Sequence, residues 1–206
     1  MSLRHALLAL LTSEPMTGYD LVKSFRASAS LMWHAPDSQI YPELRKMEGE
    51  GLILGTDLPR GELTTKRQYS ITEAGVAAFR NWMNTPLPYS RERDPAHLKA
   101  AYFEWATPEA SVEQLQAHLE HYRAMRDQWT QMVDGLASHT DPTLAKRLHT
   151  FPEESWDAIT AYKVFAYQGM VAQAEQQIAW AERGLELIER FGGHPIPMTL
   201  EIEIDD

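Results

Sequence analysis

Ser38, Gln39, Tyr41, Arg45 and Lys46 crowd five hydrogen-bonding side chains into one short stretch of the chain. Groups of these types bond to base edges and to DNA phosphates. Among them, Ile40, Leu44 and Met47 recur at spacings of four and three, which sets them on one stripe of a helix. At about 100° per residue, Ser38, Pro42 and Arg45 face away from that stripe, and Gln39, Tyr41 and Lys46 flank it. A helix apolar on one side and polar on the other is shaped to enter a major groove. An amphipathic helix with a merely solvated face carries the same pattern, so the neighbouring residues decide between the two.

Upstream, Leu3, Ala6, Leu7, Leu10 and Leu11 predict a helix over about residues 2–12. Residues 13–18 read as a turn, because Pro15 lacks a donor and Gly18 tolerates positive φ. Leu21, Val22 and Phe25 line a second helix from residue 19 to about 28. Leu31, Met32 and Trp33 form an apolar plug before Pro36, whose ring disfavours helix at Ala35. Asp37 or Ser38 caps the third helix, Pro42 sits in its first turn or bends it, and Gly49 and Gly51 bracket its end. Residues 52–58 then read as a strand and 59–61 as a turn. In a second strand over 66–71, Tyr69 and Ile71 alternate with Gln68 and Ser70. Thr72 caps a helix through Met83, with Val76, Phe79 and Met83 facing inward. Three short helices, a hairpin and a closing helix describe a winged helix-turn-helix. Arg60, Lys66 and Arg67 sit on or beside the hairpin, placed to meet phosphate or minor groove.

Four pieces of this region carry a specific resemblance: PMTGYDL at 15–21, QIYPEL at 39–44, MEGEGLI at 47–53 and KRQYSITEAG at 66–75. In order and in spacing they resemble the PadR family of bacterial transcriptional regulators, over about residues 3–83. Trp33, ahead of the third helix, resembles the branch of that family with a large helical C-terminal domain. The resemblance implies a dimeric winged-helix repressor. Many members are released by a small molecule, phenolic acids and multidrug ligands among them.

Charge permits this reading without arguing for it. The chain carries a net charge of −10, yet residues 1–85 balance nine Lys/Arg against nine Asp/Glu, so the whole excess lies in residues 86–206. A neutral first part can present a basic face to phosphates while the acidic second part points away. There is no cysteine, hence no disulfide framework and no Cys-based zinc site. The start of the chain lacks a signal-peptide pattern, and no apolar run approaches the ~20 residues of a membrane span. A cytoplasmic protein with no membrane partner is expected.

The prolines at 86, 88 and 95 mark a linker over 86–95. Leu98, Ala101, Tyr102 and Trp105 predict a helix over 97–105. A long helix follows from 108 to about 138, with Leu115, Leu119, Tyr122, Trp129, Val133 and Leu136 inward and Arg126 filling a missing step. Residues 140–152 bound a segment of one or two helical turns. In the last helix, from about 153 to 191, Val164, Tyr167, Val171, Ala174, Ile178, Ala181, Leu185 and Ile188 alternate three and four. Two such helices around a break predict an antiparallel pair. The resemblance assigns this pair to dimerisation, through Val164, Val171, Ala174, Ile178, Ala181, Leu185 and Ile188; intramolecular packing is the other reading. Gly192 and Gly193 stop the helix, and the acidic tail over 193–206 is expected to be flexible.

No nucleophile elbow, phosphate-binding glycine loop or HExxH sequence is present, so nothing supports an enzyme or a cofactor. His118 and His121 lie at i, i+3 but lack a third ligand at motif spacing, so no metal site is expected. Trp105, Trp129, Phe165 and Tyr167 are the candidates for contact with an aromatic or phenolic effector, although aromatics on such helices also serve as core. The sequence therefore predicts a mainly α protein: a winged helix-turn-helix over 1–85, a linker over 86–95, and an all-α dimerisation and effector domain over 96–192. The expected partners are a second copy and a pseudo-palindromic double-stranded operator. Ser38, Gln39, Tyr41 and Arg45 would meet the groove, and Lys46, Arg60, Lys66 and Arg67 the phosphates. A winged-helix adaptor that binds protein instead of DNA is the alternative.

Overall fold

Leu7, Leu8, Leu21, Phe25, Ile40, Leu44 and Met47 are fully buried together and form the centre of the N-terminal part. The computed structural model describes residues 3–27, 32, 35–60, 64–89 and 93–191, with the backbone alone at 60, 64 and 65. Trp33 and the tail over 193–206 lie outside the described residues. The chain divides into two units, Met1–Tyr89 with Asp134–Val164, and Ser90–Val133 with Phe165–Asp206.

In the first unit the order is α1 (Leu3–Leu11), β1 (Met16–Thr17), α2 (Gly18–Ala27), α3 (Asp37–Gly49), β2 (Ile53–Arg60), β3 (Thr64–Ile71) and α4 (Glu73–Met83). The three strands form an antiparallel sheet in the order β1-β3-β2, with Met16 opposite Tyr69 and Asp57 opposite Arg67. This is the expected winged helix-turn-helix, with β1 as an addition. Its two residues are too short for a periodicity to reveal, and α2 starts at Gly18, where a turn was expected.

Local chemistry explains the ends of α3. Pro36 holds the N-cap position without a side-chain bond, so neither Asp37 nor Ser38 caps the helix. The Asp37 carboxylate instead pairs with Arg26 of α2. Pro42 lies beyond the first turn, where it has no N–H to offer the Ser38 carbonyl. At the other end, Leu52 N–H donates to Met47 O at 2.9 Å and Gly51 N–H to Glu48 O at 3.0 Å. Gly51 has φ +73°, and together these make a Schellman stop that only glycine adopts easily. Thr72 caps α4 as expected, its hydroxyl accepting from Gly75 N–H at 3.1 Å. Met83, expected inward, is 62% exposed, because α4 runs on past the core that Phe79 reaches.

The first unit also takes in the end of α6 (Pro108–Ala137), α7 (Pro142–Leu148) and the start of α8 (Trp156–Phe191). Leu136, Leu144 and Leu148 are buried there. Arg147 donates to Ala9 O at 3.2 Å and Thr12 Oγ1 at 2.9 Å, satisfying the free end of α1, and Lys146 bonds Glu14 at 2.8 Å.

The second unit holds α5 (Pro95–Ala100), a 3-10 turn (Phe103–Trp105) and the remaining lengths of α6 and α8. Asp94 caps α5 by accepting from His97 N–H at 3.0 Å. A side chain on Gly184 would meet Leu115 Cδ1 at 2.7 Å, and His118 lies 3.0 Å from Gln177, so α6 and α8 run antiparallel as expected. Leu115, Leu119, Ile178 and Ala181 bury one another between these helices. Among the described residues, no helix is long and apolar enough to cross a membrane.

Candidate nucleic-acid interface

The α3 helix divides as its spacing requires. Ile40, Leu44 and Met47 are fully buried, each burial stabilising the fold by roughly 1.5–3 kcal/mol. Ser38, Gln39, Tyr41, Pro42, Arg45 and Lys46 are exposed on the other side. The Tyr41 ring packs over Gly18, where an added Cβ would stand 2.7 Å from Cε1, so the aromatic is half anchored and half offered to solvent.

The acids from Asp37 to Glu50 are each paired with a cation from another element, Glu43 and Glu50 sharing Arg4. Asp37 pairs with Arg26. Arg4 of α1 reaches Glu43 at 3.0 Å and Glu50 at 2.7 Å. Burial works against the Arg4 charge, but its bonds to Glu50 and Glu43 outweigh that and raise its pKa. Glu48 pairs with Arg67 of β3 at 2.6 Å. Among the described residues, no ion pair engages Arg45 or Lys46, so the exposed side of α3 presents two cations that no carboxylate grips directly. That arrangement attracts phosphate, while the Ser, Gln and Tyr beside it can read base edges.

At the hairpin, Lys66 is exposed and unpaired among the described residues, while the Arg60 side chain lies outside them. Arg67 is already engaged. Its guanidinium binds Glu48 and, at 2.9 Å, Asp57 of β2; these bonds hold its pKa well above the ordinary value. It is not the free phosphate donor that its type suggested, since two carboxylates occupy its fork. Sequence reasoning passed over Glu48, which also accepts Gly55 N–H at 3.0 Å. The available signal was the alternation along β3, which sets Arg67 on the side of buried Tyr69.

The four aromatics proposed for an effector differ in exposure, and none of them lines the cavity beside Trp180 or the cleft beside Trp82. Trp129 and Tyr167 are buried, and Trp105 and Phe165 are exposed. A cavity of about 320 Å³ in the second unit is lined instead by Lys99, Phe103, Gln114, Leu115, His118 and Trp180. Its Trp180 wall is braced by the His97 ring, with centroids 4.1 Å apart. His118 serves this wall and Gln177, and no cluster of three His, Asp or Glu able to hold a metal occurs among the described residues. A wider cleft of about 740 Å³ in the first unit runs from Arg4 and His5 past Lys46 to Trp82.

The middle of the seam expected to face a partner subunit is closed within the chain. Ala174, Ile178 and Ala181 are buried in the second unit, with Leu115 and Leu119 of α6 packed against the latter two, and Leu185 and Ile188 border that cluster. Intramolecular packing, the other reading of that pattern, accounts for Ala174, Ile178 and Ala181. Val164 and Val171 are partly buried.

Comparison with known proteins agrees with this geometry. Residues 7–81 match the transcriptional regulator PadR-like family. The negative transcriptional regulator PadR of Bacillus subtilis is 35% identical over 103 residues, 49% of this chain and 56% of that protein. The match thus spans about half the length of that relative. A probable transcriptional regulator of Mycobacterium tuberculosis is 25% identical over 92% of this chain and 98% of its own. Among solved structures, B. subtilis PadR in complex with operator DNA superposes with a TM-score of 0.71 at 24% identity, over 90% of this chain and 97% of that one. The Vibrio cholerae virulence activator AphA gives 0.67 at 24% identity over 92% and 99%, and PadR in complex with p-coumaric acid 0.67 at 22% over 91% and 95%. These structural likenesses establish the fold.

Proposed function

Because residues 7–81 match the transcriptional regulator PadR-like family, we propose that this chain is a homodimeric, sequence-specific DNA-binding repressor whose α3 helices enter successive major grooves of a pseudo-palindromic operator. The observation that carries this reading is the charge pattern of α3: every acid from Asp37 to Glu50 is paired, while among the described residues Arg45 and Lys46 are not. Ser38, Gln39, Tyr41 and Arg45 would contact the groove, with Lys46, Lys66 and Arg60 near phosphates. Repression is favoured over activation because the more similar curated relative is a negative regulator. Fluorescence anisotropy on the DNA upstream of its own gene tests the reading. Sequence-specific binding that weakens steeply with salt is expected; absence of binding at low salt would leave the protein-binding adaptor.

The dimer contact, on this reading, uses the outer side of α8. Phe165, Leu187 and Phe191 are 75%, 57% and 53% exposed, and they fall within about 80° of one another around the helix. Phe165 lies about 33 Å along the helix from Leu187, so a second copy would cover large apolar side chains at both ends of that side.

The effector would be a small aromatic acid, as the p-coumaric acid complex of the B. subtilis protein suggests. The cavity beneath α5 suits one better than Trp105, Trp129, Phe165 and Tyr167 do. It offers an indole wall, an apolar floor at Leu115 and the Lys99 ammonium, and its volume lies at the lower end of the ~300–1,000 Å³ of small-molecule sites.

A further inference from the structure

Arg67, Glu48, Asp57 and Gly55 form one constellation that ties the hairpin to α3. Glu48 projects from the last turns of α3 and receives two groups. Arg67 Nη2 donates to its Oε1 at 2.6 Å, and the backbone N–H of Gly55 donates to the same oxygen at 3.0 Å. Because β2 is the outer strand of the sheet, this second bond satisfies a donor on an open edge. Arg67 Nη1 then spans the hairpin to Asp57, its cross-strand partner, at 2.9 Å. Gly55 leaves room for the arrangement, since any Cβ there would collide with Glu48 Oε1 and stand 2.6 Å from Arg67 Nε. An isolated surface ion pair contributes little, about 0–1 kcal/mol, but a fork shared by two carboxylates and locked by a backbone bond is a network with one geometry.

We propose that Arg67 is a positioning residue: the Glu48–Arg67–Asp57 bridge fixes the hairpin at a set distance from α3, and so fixes the spacing between two DNA-contacting elements. The proposal rests on the DNA-binding reading above. Pulling Arg67 away to meet a phosphate would leave Glu48 and Asp57 uncompensated beside the DNA, which argues against a contact role. The bridge acts on operator discrimination, because non-specific DNA is held by charge and tolerates a misplaced hairpin.

The test uses the full chain and a duplex that wild-type protein selects from a random-sequence pool. Affinities for that duplex and for random DNA are measured over a salt series for wild type, Arg67→Lys and Glu48→Ala, with thermal unfolding confirming that each variant is folded. Arg67→Lys keeps the charge but cannot grip two carboxylates, and Glu48→Ala removes the anchor while freeing the arginine. Each is expected to lower affinity for the selected duplex about tenfold, with random-DNA affinity within about twofold and the salt slope unchanged. Retained affinity for the duplex in both variants, or tighter binding of both DNAs by Glu48→Ala, overturns the proposal in favour of spectator or contact roles. A pool from which wild type selects nothing overturns the DNA-binding reading, and this inference with it.

Discussion

The imidazole of His5 lies flat against the indole of Trp82, ring centroids 4.7 Å apart and planes 13° from parallel. It closes α1 onto α4 at one end of the wider cleft, close to Arg4, which holds α3 through Glu43 and Glu50. Burial lowers the His5 pKa below the ordinary 6.5, and the neighbouring Arg4 charge lowers it further.

A pH dependence follows from that direction. With the folded-state pKa below the unfolded one, the unfolded chain binds the proton first as the pH falls. The contribution of His5 to stability is therefore fully present above about pH 6.5 and is lost as the pH drops from there through the lowered folded-state value. Thermal unfolding between pH 8 and pH 5 should show a shallower acidic loss in His5→Gln than in wild type. Parallel profiles would remove His5 from the account.

Arg45 supplies the second prediction. It is exposed, unpaired among the described residues, and opposite the buried stripe of α3. Arg45→Ala should leave the melting temperature unchanged and cost about 1–3 kcal/mol of operator binding. Unaltered operator affinity would mean that α3 does not enter the groove by this side.

The cavity beneath α5 gives a third. Calorimetric titration with 2-naphthoate, a planar aromatic carboxylate, should show one saturable site per chain, and Lys99→Gln should weaken it about tenfold by removing a charge-assisted bond. The neutral 2-naphthalenemethanol should bind more weakly than the acid. Binding untouched by Lys99→Gln would locate the ligand elsewhere.

What the sequence showed and what it hid divide by range. The α3 stripe, the Gly51 stop and the Thr72 cap are decided within a few residues, so spacing and residue type disclose them. The Arg67 bridge depends on Glu48, nineteen residues away. Yet the alternation that turns Tyr69 inward also turns Arg67 toward α3, and that signal was available. The attachment of Arg147 to Ala9 and Thr12 joins residues more than a hundred positions apart, and no local pattern announces it. The seam of α8 was legible as a seam. Periodicity tells which side of a helix is covered, but Leu115 and Leu119 of the same chain, or a second copy, would cover it with the same spacing.

That ambiguity yields the last prediction, which separates packing within the chain from contact between chains. Ile178 is buried against α6, whereas Phe165 is three-quarters exposed on the same helix. Ile178→Glu would place a carboxylate in the second unit's core without a partner, at a cost of about 3 kcal/mol or more. Its melting temperature should fall by roughly 6–12 °C. Phe165→Glu changes little internal packing and should leave unfolding nearly unaltered while weakening self-association. Sedimentation of the wild type at micromolar concentration should show a dimer, the Phe165 variant should shift toward monomer, and its operator affinity should drop because one half-site contact replaces two. A wild-type monomer would sink the dimer. A Phe165→Glu dimer as tight as wild type would move the interface off this side of α8, and an Ile178→Glu protein that dissociates with its melting temperature intact would return the contact to the seam.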